Sequence, residues 1–184
     1  MFATTLYTGN GAIEQITNGI DLAGEGGLVW TKQTDGTQPN SLVDTVRGEN
    51  KWISSNETVC ETDETCIQNF SSSGYQAVGG ATNSVNLTGA NFVSWCFRKT
   101  PKFFDVQTWT GTDNRLFLNS ADPGDQGTTY WGNTEPTDTV FTVGQGTNGN
   151  GTDLVAYLFA DDTPGLIKCG SFSSATFIET GFKP

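Results

Sequence analysis

Hydrophobic residues follow two spacings along this chain, and both are typical of β-strands. FVSWCF at 92–97 and LVAYLFA at 154–160 are apolar at both odd and even positions, as in a central strand whose two faces are both covered. After the first run the chain alternates, with Phe104 and Val106 separated by polar residues. The helical spacing of apolar residues never persists, because Gly, Asn or Thr interrupts every candidate.

Turn signals divide these runs at short intervals. Asn-Gly pairs begin at positions 10, 18, 148 and 150, an Asp-Gly pair begins at 35, and Pro-Gly pairs occupy 123–124 and 164–165. Glycine is abundant, with 23 residues, whereas charged residues make up only 16% of the chain, which suits short strands joined by polar turns. The sequence therefore predicts an all-β fold, a β-sandwich of the jelly-roll kind.

The two apolar runs are copies of one another. Residues 91–97 align without a gap on residues 153–159, which places Phe97 on Phe159. After a one-residue insertion, the alignment continues through the proline that follows each run. A repeat inside a short chain indicates that one packing arrangement is used twice.

Further motifs extend the repeat in both directions. LYTG at 6–9 is echoed by TWTG at 108–111 and by SFSS at 171–174, so the chain contains three starts of one module. Upstream of the apolar runs, the two copies share an asparagine and a glycine at the same spacing: Asn86 with Gly89, and Asn148 with Gly151.

The two copies differ in length, because the second lacks a counterpart of residues 16–50. We therefore predict about two tandem related modules, the second reduced. The first is a β-sandwich module at 1–107. The second, shortened module occupies 108–184 and includes the start of a third repeat, which is expected to complete a sheet.

The net charge of −11 excludes several classes of partner. Binding to nucleic acid requires clustered Lys and Arg, and the chain has only nine of these against 20 Asp and Glu. Anionic membranes repel an acidic surface, and the apolar runs are too short to span a bilayer. The opening MFATTLYTGN lacks the basic and apolar regions of a signal peptide. We therefore predict no nucleic-acid partner and no membrane insertion.

The chain contains no histidine, which removes the commonest general base and the commonest metal ligand. A carboxylate pair remains available to an enzyme, but no strand carries a motif of spaced acids. GQGTNG at 144–149 matches a dinucleotide-binding string, yet it lies in a turn between strands. Asn148, Asn150 and Asp153 offer calcium only three oxygens, so a plain turn is favoured. We predict a non-enzymatic protein with no catalytic residues, no metal and no cofactor.

The four cysteines do not form a disulfide scaffold in a chain of this size. Cys60 and Cys66, in VCETDETC, are close enough for a small loop disulfide, with two free thiols as the alternative. Cys96 and Cys169 lie inside strand-like runs and are predicted to be buried as small hydrophobic residues.

Aromatic residues are the best candidates for ligand binding. Tyr130 and Trp131 fall in the polar stretch GTTYWGNTEPT, where an exposed ring could stack on a sugar or cover the sandwich edge. For Trp52 the sequence leaves two assignments open, a core position and a surface position. Three tryptophans in apolar runs are predicted core residues: Trp30, Trp95 and Trp109.

The motifs in their order along the chain resemble a known family. They are LYTGNG, GIDLAGEGGLVW, LVDTVRG, FVSWCFRKTPKFFDV, and LVAYLFADD followed by GLIKCGSF. Together they are similar to an uncharacterised, tail-fibre-like repeat domain family in virion proteins of tailed bacteriophages, especially marine cyanophages. The resemblance implies a concanavalin-A-like jelly roll and supplies no catalytic residues.

On this resemblance we expect a structural protein on the virion surface, extracellular after host lysis, in a tail fibre or similar appendage. The expected partners are other virion proteins, further copies of the chain, with a trimer as one arrangement, and a host-surface glycan. Two alternatives remain open. One is a capsid cement or decoration protein, and the other is a secreted carbohydrate-binding module or glycoside hydrolase.

Overall fold

The structure is a computed structural model, and it describes residues 1–80, 85–111, 141, 143 and 151–160. These residues form eleven β-strands and no helix: β1 (Phe2–Thr8), β2 (Glu14–Thr17), β3 (Gly27–Gln33), β4 (Ser41–Asp44), β5 (Lys51–Ser54), β6 (Thr62–Asp63), β7 (Ile67–Ser71), β8 (Gly74–Ala77), β9 (Asn91–Arg98), β10 (Phe104–Thr110) and β11 (Asp153–Phe159). The prediction of an all-β chain is confirmed. A helix with the length and apolarity to cross a membrane is absent from the described residues.

Six strands form the larger sheet, in the order β1-β9-β3-β4-β5-β6, and every neighbouring pair is antiparallel. A smaller antiparallel sheet has the order β2-β8-β7. Strands β10 and β11 form a two-stranded sheet. Strand β9 therefore lies inside the larger sheet, with β1 on one side and β3 on the other.

A hydrophobic core joins the larger sheet to the three-stranded sheet. The larger sheet contributes Val29, Val43, Trp52 and Cys96, and the smaller sheet contributes Ile16, Ile67, Tyr75 and Ala77. Two antiparallel sheets that pack their inner side chains together form a β-sandwich, so this prediction is also confirmed. The jelly-roll connections stay a prediction.

Individual core assignments have mixed outcomes. Cys96 is fully buried, as predicted, and Trp52 proves to be a core residue. The prediction that Trp30, Trp95 and Trp109 are core residues is wrong, because all three are half-buried. Their neighbours Val29 and Cys96 point into the core. Since successive side chains along a strand point to opposite faces, Trp30 and Trp95 face away from it.

The chain divides into two compact units. The first contains Met1–Val106 and the described residues from Tyr157 onward, and the second lies within Gln107–Ala156. The predicted modules at 1–107 and 108–184 rest on sequence repetition instead, and that division stays a prediction.

Strand pair β10–β11 ends in the same hydrogen-bond pattern as strand pair β1–β9. In the first pair, the Gly9 amide donates to the Ala90 carbonyl oxygen at 2.8 Å, and the Gly9 carbonyl accepts from the Gly89 amide at 2.8 Å. In the second, the Gly111 amide donates to the carbonyl of the residue before β11 at 2.8 Å, and the Gly111 carbonyl accepts from Gly151 at 2.7 Å. Gly89 and Gly151 have φ angles of 76° and 71°, which favour glycine. The sequence repeat is thus a repeat of backbone geometry.

Asn86 holds the loop that follows β1, and it is fully buried. Its side-chain nitrogen donates to the Ala12 carbonyl oxygen at 2.7 Å, and its side-chain oxygen accepts from the Asn10 amide at 2.9 Å. The Asn86 carbonyl accepts from the Gly11 amide at 3.1 Å. Because one buried side chain binds the loop backbone as donor and as acceptor, the loop depends on an asparagine at this position.

Replacing Asn86 by Ala should lower the free energy of unfolding by about 2–4 kcal/mol, because buried backbone groups would lose their partners. Urea denaturation measures this loss. The control is Asn50→Ala, since Asn50 is exposed and its side-chain oxygen accepts a bond from the Thr65 hydroxyl, while its backbone bond to Glu64 is kept in the variant. The control should cost less than about 0.5 kcal/mol. Equal losses in the two variants would contradict the role of Asn86.

Candidate functional site: the outer face of the larger sheet

We call the face of the larger sheet that is turned away from the core the outer face. Cross-strand partners place its side chains in rows. The first row holds Phe2, Phe97, Leu28 and Asp44, the second Thr4, Trp95, Trp30 and Leu42, and the third Leu6, Val93 and Lys32. The outer face is therefore largely apolar and aromatic, as is typical of a contact surface.

Phe97 is the centre of an aromatic cluster on the first row. Its ring centroid lies 4.9 Å from Phe2, 5.2 Å from Phe159, 5.5 Å from Phe104 and 6.5 Å from Phe103. Phe159 meets it edge-on, with 81° between the ring planes. Edge-to-face aromatic pairs stabilise a contact beyond the area that they bury. All five rings belong to the first compact unit.

The aromatic cluster brings equivalent positions of the repeat together. Phe97 and Phe159 are aligned in the sequence and in contact in the structure. Phe2 corresponds to Phe104 when LYTG is aligned on TWTG, and the pairs Phe2–Phe97 and Phe104–Phe159 have the same centroid distance of 4.9 Å. Contact between equivalent positions is characteristic of an isologous interface. Within the first compact unit, equivalent positions of the repeat are therefore in contact.

Asp44, in the first row, forms a buried ion pair with Arg47, which follows the end of β4. Arg47 Nε is 2.6 Å from Asp44 Oδ2, and the two side chains are 8% and 0% exposed. Tyr157 joins both groups: its hydroxyl accepts from Arg47 Nη2 at 2.6 Å and donates to Asp44 Oδ2 at 2.9 Å. Tyr157 thereby binds strand β11 to the end of β4 through a three-residue polar network.

The polar network is well supplied with hydrogen bonds. Asp44 Oδ1 accepts from the backbone amides of Val46 and Arg47 at 3.0 and 2.9 Å. The guanidinium of Arg47 also donates to Glu61 at 3.0 Å and to the Leu42 carbonyl at 3.1 Å. A buried charge pair stabilises a fold only when its remaining donors and acceptors are satisfied in this way.

Burial and neighbouring charges shift the pKa values of two groups in this network. Burial works against the charge of Arg47, but Tyr157 and Asp44 outweigh it and raise the pKa of the guanidinium. Burial, aided by the Asp44 carboxylate, raises the pKa of the Tyr157 hydroxyl far above its usual value. The tyrosine therefore stays protonated, as its bond to Asp44 requires, and is a poor general base.

Cover over the outer face is least on strand β1, where Phe2, Thr4 and Leu6 are exposed, and greater on the neighbouring β9, where Val93 is buried. In the second row Trp30 and Trp95 are half-buried and meet at 5.5 Å, with 61° between their planes. In the third row Leu6 is 76% exposed. The outer face is therefore open along β1 and more closed on β9 and β3.

Several predicted positions lie outside the described residues. Tyr130 and Trp131, the predicted sugar-stacking pair, are among them, as are Cys169 and the turn residues Asn148 and Asn150. The sugar site therefore stays a prediction. Among the residues that the structure does describe, no group of three acids or cysteines is placed to hold a metal ion.

Both cysteines of the predicted loop disulfide are free in the structure. Cys60 is exposed and Cys66 is buried in the core. Burial, with a smaller effect from the charge of Glu64, raises the pKa of the Cys66 thiol to about 12. The thiolate that would start disulfide formation is thus disfavoured at Cys66. The pairing itself stays a prediction.

The sequence reasoning missed Asp44, Arg47 and Tyr157. The first two stand in the motif LVDTVRG, but no spacing rule connects them to a tyrosine 110 residues away. The available signal was the repeat alignment, which places Tyr157 on Trp95 and so adds a hydroxyl to an otherwise apolar position.

Fold and site together define an antiparallel β-sandwich protein with an aromatic contact face. The chain belongs to the family described as Domain of unknown function (DUF7483), whose model matches it twice, at residues 1–105 and 102–184. The first match contains β1 and β9, and the second contains their equivalents β10 and β11. Searches of curated proteins and of solved structures return no match.

Two variants test the polar network. Tyr157→Phe leaves the ion pair intact and should lower the free energy of unfolding by about 1–2 kcal/mol. Arg47→Met leaves the Asp44 carboxylate buried without a counter-charge and should cost about 3–5 kcal/mol. Chemical denaturation at neutral pH gives both values. Lys51→Met, which removes exposed ion pairs to Glu61 and Asp63, should cause no measurable change.

The reverse order of the first two losses would contradict this account. It would mean that the hydroxyl of Tyr157, rather than the charge of Arg47, carries the network.

Proposed function

We propose that the protein is a non-enzymatic structural component displayed on the surface of a tailed-phage particle, in a tail fibre or similar appendage. The observation that carries the proposal is the contact between Phe97 and Phe159, equivalent positions of a repeated strand pair. A chain whose repeated elements pack on one another through a shared face suits assembly from repeats.

The chemistry of the outer face favours contact over catalysis. Its charged groups are engaged in hydrogen bonds, since Asp44 binds Arg47 and the Tyr157 hydroxyl, and Lys32 donates to Asn40. Its aromatic rings contact one another, with Phe2 and Phe97 in a tilted pair, and the Leu6 side chain is exposed. Such a combination serves recognition between proteins, which relies on aromatic anchors and a satisfied polar surround.

The virion location rests on the family resemblance of the ordered motifs. The acidic composition, with a net charge of −11, suits a particle surface, because repulsion between acidic surfaces limits unspecific association. Adhesion to a host-surface glycan at Tyr130 and Trp131 is part of the proposal, and the expected partners are neighbouring virion proteins.

Immunogold electron microscopy tests the proposed location. Antibodies against the purified chain should label intact phage particles at the tail or its appendages. Labelling of the head would favour a capsid decoration protein. Protein found only in the particle-free supernatant, with no label on particles, would overturn the virion assignment and favour a secreted carbohydrate-binding protein.

A further inference from the structure

Strand β1 lies at the edge of the larger sheet, where β9 is its only neighbour among the described strands. Bonds at both ends of this pairing fix which residues face β9. The Arg98 amide donates to the Met1 carbonyl oxygen at 2.8 Å, and the Gly9 amide donates to the Ala90 carbonyl oxygen at 2.8 Å. Because hydrogen-bonded pairs alternate along an antiparallel ladder, the odd-numbered residues of β1 bond to β9.

The even-numbered residues consequently direct their backbone groups to the open edge. They are Phe2, Thr4, Leu6 and Thr8, and all four are exposed. Each carries one amide donor and one carbonyl acceptor, and no bond from these backbone groups to another described strand is present. The edge therefore offers an alternating row of donors and acceptors of the kind that binds an added strand.

The sequence of this edge lacks the usual protection. Edge strands are commonly blunted by lysine, proline, a bulge or a short length. Strand β1 is seven residues long, reads FATTLYT, and contains no charge and no proline. Its pairing with β9 runs through seven consecutive residues without a bulge. An unprotected edge of this kind indicates a surface that is covered in the assembled protein.

We propose that two copies of this chain pair through β1, antiparallel and centred on Thr5, so that the two larger sheets become continuous. In this register Phe2 lies opposite the second copy's Thr8, and Thr4 lies opposite its Leu6. Each of these is a pair of even-numbered residues, so the open donors and acceptors of the two edges meet. Leu6 and Thr4 then lie side by side on the outer face.

A second copy is the occupant that the sequence of β1 suits, because this strand is uncharged and forms favourable pairs with itself. Each chain carries a net charge of −11, so two copies repel one another over most of their surfaces. The seven residues of β1 carry no charge, and the strand therefore lets two copies approach without opposed carboxylates. Its mix of Thr, Leu and aromatic residues gives favourable cross-strand pairs in the antiparallel register.

This pairing goes beyond the proposed function, since it names the partner and the surface. It is a property of the purified chain, and it holds or fails regardless of whether the protein is found on a particle. The two proposals therefore fail in different experiments.

Proline at position 4 gives the sharpest test. The Thr4 amide faces the open edge, so Thr4→Pro removes a donor to the second copy and no bond to β9. Analytical ultracentrifugation of the full chain, from about 1 to 500 µM, should show a dimer for the unmodified protein. The Thr4→Pro variant should have a dimer dissociation constant at least about tenfold higher, because the two-fold symmetry of the dimer removes the hydrogen bond twice. The control Thr4→Val keeps the amide and should keep the dimer.

Lysine at position 6 provides a second variant if the proline variant folds poorly. Leu6→Lys places like charges on the paired edges and should abolish the dimer at low salt. Its matched control is Val59→Lys, because Val59 is 50% exposed and lies outside β1. Circular dichroism should show that both lysine variants keep the β-sheet spectrum.

Hydrogen exchange locates the contact. Raising the protein concentration should slow the exchange of the amides of Phe2, Thr4, Leu6 and Thr8, while those of Ala3, Thr5 and Tyr7 are already protected by β9. A chain that stays monomeric over the whole concentration range would overturn the proposal. A dimer that survives both Thr4→Pro and Leu6→Lys, or that leaves the even-numbered amides in fast exchange, would also overturn it.

Discussion

The packing of side chains against both faces of strand β9 is the constraint on which the other features depend. Its inward side chain Cys96 is fully buried in the sandwich core, and its outward side chain Phe97 is surrounded by four other rings. Sliding β9 by one residue would exchange these two sets of side chains. The register of β9 with β1 and β3 is therefore fixed by packing on both sides, and with it the arrangement of the larger sheet.

The same arrangement explains how a repeated sequence produces a repeated contact. Strand β11 has the apolar pattern of β9, pairs with β10 as β9 pairs with β1, and presents Phe159 to Phe97. Aromatic contact alone is weakly directional. Tyr157 adds direction, because its hydroxyl reaches two charged groups that are themselves held by backbone amides and a carbonyl. The aromatic contacts thus stabilise the packing of Phe159 on Phe97, and the buried ion pair defines where the Tyr157 side chain binds.

Much of the fold could be predicted from the sequence, because strand patterns and turns are local. The consecutive apolar residues of β9 predicted a strand covered on both faces, and the repeated Asn and Gly positions predicted a shared geometry that Gly89 and Gly151 display. The error at Trp30 and Trp95 has a physical reason. Local periodicity shows that both faces of a strand are apolar, but it does not show how much of each face other elements cover.

The candidate site was harder to predict, because its parts are distant in the chain. Asp44 and Arg47 read as an ordinary surface pair three residues apart, and only the fold brings Tyr157 to them. Likewise, the sequence of β1 reads as any other strand, and its position at the edge follows from the pairing order alone.

Native-state hydrogen exchange tests the central position of β9 most directly. If packing on both faces of β9 fixes the sheet, the β9 amides that bond to β1 and β3 should exchange only through global unfolding, with the highest free energies of opening in the described chain. Exchange of these amides through local opening, at free energies below those of β7 and β8, would contradict the account.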